Sequence, residues 1–451
     1  MNSEAKTIFI TSFHGFLSRV LSAGLLSEIL NKTTYNVVIF VYDFKKDFYE
    51  KEFSSNRVKI EPVDHKNIPR LSSFFSGLAF MLLNSGTMKI KNKSKLKNDH
   101  NYLTFLFKKL ISFLGGFKLV RYIFRKINYF FSDKYFFKKQ FDFYRPELVL
   151  SLDIKHLFDT QILMEAKSRK IKTMGMVRSW DNLTSKGVLR ILPEKLIVHN
   201  NLIKEEAVYY NDVNPDNIFI VGVPHYDIYH SFNAMDKSIF LKNLGLESDK
   251  KTILFAPMGS RFCDTDWQII KILKEARKNS LIPKNVQFII RMPPTDNINL
   301  EELSLDKSFF IDNPGTDIKL AGIKNKEMTT DDAIYLANSL INSDVVITGL
   351  STLLIDSMIF DKPTIAIGFN GNEKKNYHQS VIRYFDYDHL VNLKKTRGMR
   401  ISSSKEDLIK FINLYLEDNN LDEKFRREAV RQQCYLLDGR ASERIVNVLL
   451  R

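Results

Sequence analysis

The stretch VVITGLSTLLIDSMIF, residues 345–360, decides the fold of this chain. Val345, Val346, Ile347 and Thr348 are β-branched and read as a strand. Gly349 turns the chain, and after Ser351 and Thr352 the pattern becomes helical through Phe360. A strand that passes at once into a helix is the building block of a parallel α/β sheet. Its turn offers free N–H groups and two hydroxyls, which suits a diphosphate. The same pattern also serves as a plain Ser/Thr N-cap. Asp356, in the first turns, is placed to accept a bond from a ribose or sugar hydroxyl.

The rhythm extends in both directions. In the second half, strands are expected at 252–256, 286–291, 309–312 and 364–367, with helices at 266–279, 330–342 and 353–359. The tail, 405–451, reads as helical. In the first half, strands are expected at 7–12, 35–42, 57–62, 148–152, 172–177, 195–199 and 217–221, with helices at 17–30 and 154–169. A polar connector at 231–237 separates two similar α/β sets. A length of 451 residues fits two domains. The expected division is 1–230, 231–430 and a closing C-terminal helix at 431–451. The pattern GxGxxG is absent, which argues against nicotinamide redox chemistry.

Charge is unevenly placed. The chain carries a net +15, and residues 89–139 hold fourteen Lys and Arg against two acids, Asp99 and Asp133. The same stretch is rich in Phe and Tyr. It reads as a basic, aromatic helical insertion at about 68–145, with a polar tip at 89–101. Basic residues attract anionic surfaces and aromatic side chains favour a membrane interface. Nothing in the stretch resembles a nucleic-acid module, so no nucleic-acid partner is expected. No apolar run is long enough to span a bilayer, and the N-terminus has no signal-peptide pattern. Two distant cysteines, Cys263 and Cys434, fit a reducing compartment. These features predict a cytoplasmic protein docked on the anionic inner face of the membrane.

Four segments carry a family resemblance: IFIVGVPHYD (218–227), KTILFAP (251–257), residues 345–363, and DGRASERI (438–445). In this order they resemble the CDP-glycerol glycerophosphotransferase (teichoic-acid polymerase) family and related bacterial surface-polysaccharide transferases. The resemblance implies a GT-B fold, two Rossmann-like doubly wound domains facing a central cleft. It implies a donor site in the C-terminal domain made by Arg261, Arg291, Gly349, Ser351, Thr352 and Asp356, with His225 near the hinge. It also implies an enzyme that needs no metal and no cofactor, since GT-B transferases hold the leaving diphosphate with cations and helix dipoles. The acids Asp264 and Asp266 read as a helix cap with an acidic first turn rather than a metal pair.

Two departures shape the functional expectation. Residues 290–296 read IRMPPTD, with no histidine where the family has KxHP, and the turn 349–352 lacks the family's acid. A sugar-transferring relative therefore fits better than a glycerol-phosphate transferase.

In the N-terminal domain, His14 follows the first strand, where inverting GT-B transferases place the base that deprotonates the acceptor hydroxyl. Asp153, at the end of a later strand, and Asp181 are alternative bases. The segment RSWDNLTSKG (178–187) is similar to segments of surface-polysaccharide transferases, and supplies Arg178, Trp180, Asn182 and Lys186 as acceptor contacts. The expected reaction moves a sugar from a nucleotide-activated donor to a lipid-linked or other glycan acceptor. The alternatives are a CDP-glycerol or CDP-ribitol type alditol-phosphate transferase, a nucleotide-sugar epimerase, and a non-catalytic membrane-binding protein.

Overall fold

Seven apolar runs of the first half pair side by side, all parallel: β1 (Thr7–Thr11), β2 (Asn36–Tyr42), β3 (Val58–Val63), β4 (Pro146–Ser151), β5 (Lys172–Met176), β6 (Lys195–Val198) and β7 (Ile218–Ile220). Their order is β3-β2-β1-β4-β5-β6-β7. The order reverses between β1 and β4, the switch point at which open parallel sheets bind ligands. The protein is described here by a computed structural model covering residues 6–294, 296, 298–300, 303–320 and 323–451.

The second half repeats the design. β8 (Lys251–Ala256), β9 (Val286–Arg291), β10 (Phe309–Asp312), β13 (Val345–Thr348), β14 (Thr364–Ile367) and β15 (Arg400–Ser402) form a sheet of order β10-β9-β8-β13-β14-β15. Its switch point lies between β8 and β13. Between β10 and β13 the chain makes a two-stranded ribbon, β11 (Thr316–Leu320) with β12 (Ile323–Glu327). Each half is a Rossmann-like doubly wound unit, and the fold class is GT-B.

The units are not simple halves. Residues up to His230 pack together with Asp317–Glu327 and Cys434–Arg451, while Ser231–Thr316 and Met328–Gln433 form the second unit. The tail is therefore not one closing helix at 431–451. It contains two helices, Glu423–Cys434 and Ala441–Leu450, and the second belongs to the first unit. The reason is its apolar face: Ile445, Val446, Val448 and Leu449 complete the core built on Ile8, Leu25 and Ile29. The Asp227 carboxylate accepts from the amides of Ala441 (3.0 Å) and Ser442 (2.7 Å), satisfying free N–H groups at that helix's start. Arg444 donates to the Val221 carbonyl at 2.7 Å. The two motifs 218–227 and 438–445 thus form a structural clasp.

Further differences have local causes. The helix expected at 17–30 is broken into Ser18–Val20, a π turn at Leu21–Leu25 and Leu26–Lys32, with Gly24 at φ 136°. The ribbon and β15 are too short and polar to announce themselves by alternation.

Five helices lie between β3 and β4: Arg70–Leu82, Gly86–Asp99, Tyr102–Leu114, Lys118–Phe131 and Lys138–Tyr144. The expected polar tip at 89–101 is mostly helix, capped by the Ser85 side chain and ended by His100 in the left-handed region. Lys118–Phe131 is amphipathic in the inverted sense. Arg121, Phe124 and Asn128 face the protein, and Arg121 makes a bidentate pair with Asp212. Leu119, Tyr122, Ile123, Ile127 and Phe130 face outward, Phe130 at 71% exposure. Tyr102–Leu114 behaves alike. Its Ser112 is buried, bonded to the Leu83 carbonyl, while Leu106, Phe107, Leu110 and Phe113 are exposed and Leu103 reaches 82%. A contiguous exposed apolar face of this kind is uncommon on a free protein surface.

Candidate functional site

The switch point of the first sheet gathers most of the N-terminal candidates. His14 follows β1, Asp153 follows β4, and Arg178 follows β5. Arg178 Nε donates to Asp153 Oδ2 at 2.8 Å, and Asn182 Nδ2 lies 3.4 Å from Asp153 Oδ1. The Lys155 amide donates to the same Oδ1 at 3.2 Å. Asp153 is 3% exposed. Burial pushes its carboxyl up, but Arg178, His14 and His156 outweigh that and leave it below its ordinary value. Both oxygens of this carboxylate are already engaged, and its geometry suits orienting Arg178.

His14 is better placed for proton transfer. Its Nδ1 lies 2.6 Å from the Gly15 carbonyl, which can only accept. Nδ1 therefore carries the hydrogen, and Nε2 keeps a free lone pair. Burial, with the Arg178 cation nearby, lowers the imidazole to about 4 despite Asp153. At neutral pH the ring is unprotonated and can accept a proton.

The 178–187 loop surrounds this pair. Trp180 is buried with its ring 5.0 Å from His199 and 6.3 Å from Tyr226. Asp181 lies at the start of the short helix Asn182–Ser185 and pairs with Lys186 at 3.3 Å. Lys186 Nζ also lies 3.3 Å from Asn182 Oδ1. His225 is half-buried, its ring 4.5 Å from Tyr226 and 6.5 Å from His199. Burial lowers both imidazoles, His199 to about 3.

Three residues join this cluster without having been marked by the sequence reading. Lys155 donates to the Gly187 carbonyl, and burial lowers its ammonium to about 7. Gly187 is itself fixed by close packing on the Ala79–Phe80 backbone: at φ 93°, a Cβ there would lie 2.8 Å from the Phe80 amide. Lys91 reaches the Ser185 carbonyl at 3.3 Å, and its ammonium is lowered by burial. His199 backs Trp180. Lys155 sits two residues past Asp153, a usable signal, whereas Lys91 is hidden in a charge run.

In the second unit the turn after β13 meets the loop after β8. A Cβ on Gly349 would lie 2.2 Å from Met258 Sδ, so glycine is required for this packing. Thr348 Oγ1 donates to the Ala256 carbonyl at 2.8 Å. The Leu353 amide donates to Ser351 Oγ at 3.2 Å, and Thr352 is exposed at the start of Leu353–Ile359. Asp356 is buried against the sheet. Arg261 is exposed in the loop after β8, where its amide donates to Asp296 at 3.0 Å. Arg291 ends β9, one strand further from the switch point; it is 6% exposed, paired with Asp312 and 5.9 Å from the Tyr335 ring. Arg261 thus lies three residues past Met258, in the loop that packs on Gly349, and Arg291 lies in a buried pair. Asp264 binds Lys375 at 2.7 Å, and Asp266 accepts from the Gly259 amide at 2.8 Å, so the two acids serve separate local contacts. Thr265, not either acid, occupies the N-cap of Asp266–Lys278.

Residues 158–451 match the family described as CDP-Glycerol:Poly(glycerophosphate) glycerophosphotransferase. The chain belongs to that family. As a member of the glycerophosphotransferase family it is a transferase of the GT-B type. Three solved structures show the likeness of fold. A UDP-GlcNAc 2-epimerase from Methanocaldococcus jannaschii is 14% identical, covers 99% of both chains and has a TM-score of 0.54. A UDP-GlcNAc 2-epimerase from Neisseria meningitidis is 11% identical over 99% of both chains, TM-score 0.54. A glycosyltransferase from Rickettsia africae is 11% identical over 99% of both chains, TM-score 0.51. No curated protein matches the chain.

Proposed function

We propose that this glycerophosphotransferase-family chain moves a glycosyl group from a nucleotide-sugar donor to a hydroxyl of a membrane-linked surface glycan. The observation that carries the reading is the His14 geometry: an imidazole with Nδ1 bonded to its own loop, which leaves Nε2 as the unprotonated nitrogen, beside the Asp153–Arg178 pair. His14 Nε2 takes the acceptor proton, the acceptor oxygen bonds to the anomeric carbon, and the bond from that carbon to the diphosphate breaks. This single displacement inverts the centre. Ser351, Thr352 and the Gly349 turn hold the departing diphosphate, with Arg261 as the cation, and no metal takes part. Lys186, Asn182 and Arg178 contact the acceptor. Asp153 orients Arg178.

A second reading is favoured by the family match itself: transfer of an alditol phosphate from CDP-glycerol or CDP-ribitol, with attack at phosphorus and departure of CMP. The absence of a histidine from 290–296, and the engagement of Arg291 by Asp312, favour the sugar.

The acceptor reading draws support from the inverted helices Tyr102–Leu114 and Lys118–Phe131, whose outward apolar side chains and flanking lysines suit the headgroup region of an anionic membrane. Among the described residues, no helix is long and apolar enough to cross a membrane.

Thermal-shift measurements with CMP, CDP, UDP, GDP and dTDP identify the carrier, because a ligand bound only by the native state raises the melting temperature. Product analysis with the matching sugar and with CDP-glycerol then separates the readings. Stabilisation by a nucleoside diphosphate and glycosyl transfer support the proposal. Transfer from CDP-glycerol alone establishes the second reading. Interconversion of the donor without acceptor makes the protein an epimerase, and no stabilisation by any nucleotide ends both transferase readings.

A further inference from the structure

The loop that carries His14 rests on a carboxylate 313 residues away in sequence. Glu327 ends β12 and is completely buried, as is Lys45. Glu327 Oε2 accepts from the Phe16 amide at 3.0 Å and from Ser18 Oγ at 2.9 Å, and Oε1 pairs with Lys45. Lys45 in turn donates to the Phe13 carbonyl at 3.2 Å. The two ends of the Phe13-His14-Gly15-Phe16 loop are therefore held by one buried ion pair. Phe16 sits at φ 71°, a left-handed conformation that a bulky residue adopts only when its surroundings impose it. Gly15 faces the Lys326 carbonyl, 3.7 Å from where a Cβ would stand. Two further contacts seat the loop: Ser12 Oγ with Tyr49 OH at 2.8 Å, and the Phe13 ring stacked on His156 at 5.3 Å.

Apolar residues of similar size commonly replace a buried ion pair without loss of stability. What methionines cannot supply here is an acceptor for the Phe16 amide and the Ser18 hydroxyl. We infer that Glu327 is a positioning residue for the transfer reaction, fixing the His14 loop through the Phe16 amide, with Lys45 neutralising its charge and holding the other end of the loop. The inference rests on the assignment of His14 as base, and extends it to a residue of the β11–β12 ribbon.

Two double variants isolate the acceptor from the charge. K45M/E327Q removes both charges and keeps a side-chain carbonyl for Phe16 and Ser18. K45M/E327M removes both charges and the acceptor. Both avoid an unpaired buried charge and should fold. Turnover and donor KM are measured for each, together with the His14 titration by NMR of histidine-labelled protein, assigned with His14→Asn. The groups facing His14 in that titration are Arg178, Asp153 and Lys186. Both variants lose the Lys45 bond to the Phe13 carbonyl, so the expected result is read between them, with K45M/E327Q the more active and K45M/E327M measured against it. K45M/E327M should fall at least tenfold below it in turnover with donor KM unchanged, and its His14 titration should move up towards that of a free imidazole as the loop opens. Equal turnover and equal His14 titration in the two variants overturns the inference. If the His14 titrations differ but His14→Ala is fully active, the positioning stands and the base assignment fails.

Discussion

Arg178 Nε donates to Asp153 Oδ2 across 2.8 Å, joining the ends of β5 and β4 beside His14. The pair is largely shielded, with Asp153 almost fully buried. Arg178→Ala strands that carboxylate, and breaking a buried pair from one side costs about 3 kcal/mol or more. Urea unfolding should show this loss, and Asp153→Asn should lose less, because the Arg178 cation it leaves unpaired is more exposed than the carboxylate. An Arg178→Ala protein as stable as wild type would mean that the pair is solvated in solution.

His14→Ala should lower turnover by about 10²–10⁴-fold with donor affinity nearly unchanged, the range for loss of a general base. Steady-state kinetics with saturating donor reads this directly. Near-normal turnover moves the search for the base to Asp181, since Asp153 is tied to Arg178.

Ser351→Ala together with Thr352→Ala should weaken nucleotide binding by about 1–3 kcal/mol, the scale of lost hydrogen bonds to a charged group. Calorimetric titration of the folded double variant is the check. Unchanged affinity places the phosphates elsewhere than on the turn after β13.

The exposed faces of Tyr102–Leu114 and Lys118–Phe131 should bind anionic vesicles, with sedimentation that falls as salt rises. Replacing Lys89, Lys93, Lys95 and Lys97 by glutamine should weaken the electrostatic part. Changing Leu103, Phe107 and Phe130 to serine should weaken the apolar part. Lys91 belongs to neither set, because it is committed to the Ser185 carbonyl. Wild-type protein that ignores anionic vesicles at low salt would remove the membrane from the account.

Three histidines, His199 buried and His14 and His225 half-buried, bear on stability in acid. His14 is lowered to about 4 and His199 to about 3, and His225 lies well below its ordinary value, in each case first through burial. Between the unfolded value near 6.5 and these folded values, the unfolded chain binds protons that the native chain does not. Stability from these groups is complete above about pH 6.5 and is lost as pH falls below it, by on the order of 3 kcal/mol for His14 at the bottom of its window. Unfolding free energies at pH 7.5 and 5 should show the decline, and it should shrink in a His199→Phe variant. A flat profile would place these rings in contact with water.

Much of the candidate site is legible in the sequence. Strand-end positions such as Asp153 and Arg178, and the loop residue His14, stand out because parallel strands end where ligands bind and polar residues there interrupt apolar runs. Lys155 and Lys91 are not, because a lysine in a basic chain carries no mark of burial until its neighbours are known. Arg291 looked like a free cation at a strand end, and Asp312, ending the adjacent strand, engages it.

Apolar periodicity and the strand–turn–helix of 345–360 determine, by themselves, that this chain forms doubly wound α/β units, because each element must bury one face and its spacing declares which. Only the tertiary structure decides which distant segments complete those units. The closing helix Ala441–Leu450 joins the first core through Ile445 and Val446, and Glu327 crosses to the His14 loop to meet Lys45. Neither choice is written in local pattern. An amphipathic helix fits any open apolar surface, and a buried carboxylate is tolerable only where a cation and two donors already wait, a condition set by contacts hundreds of residues apart.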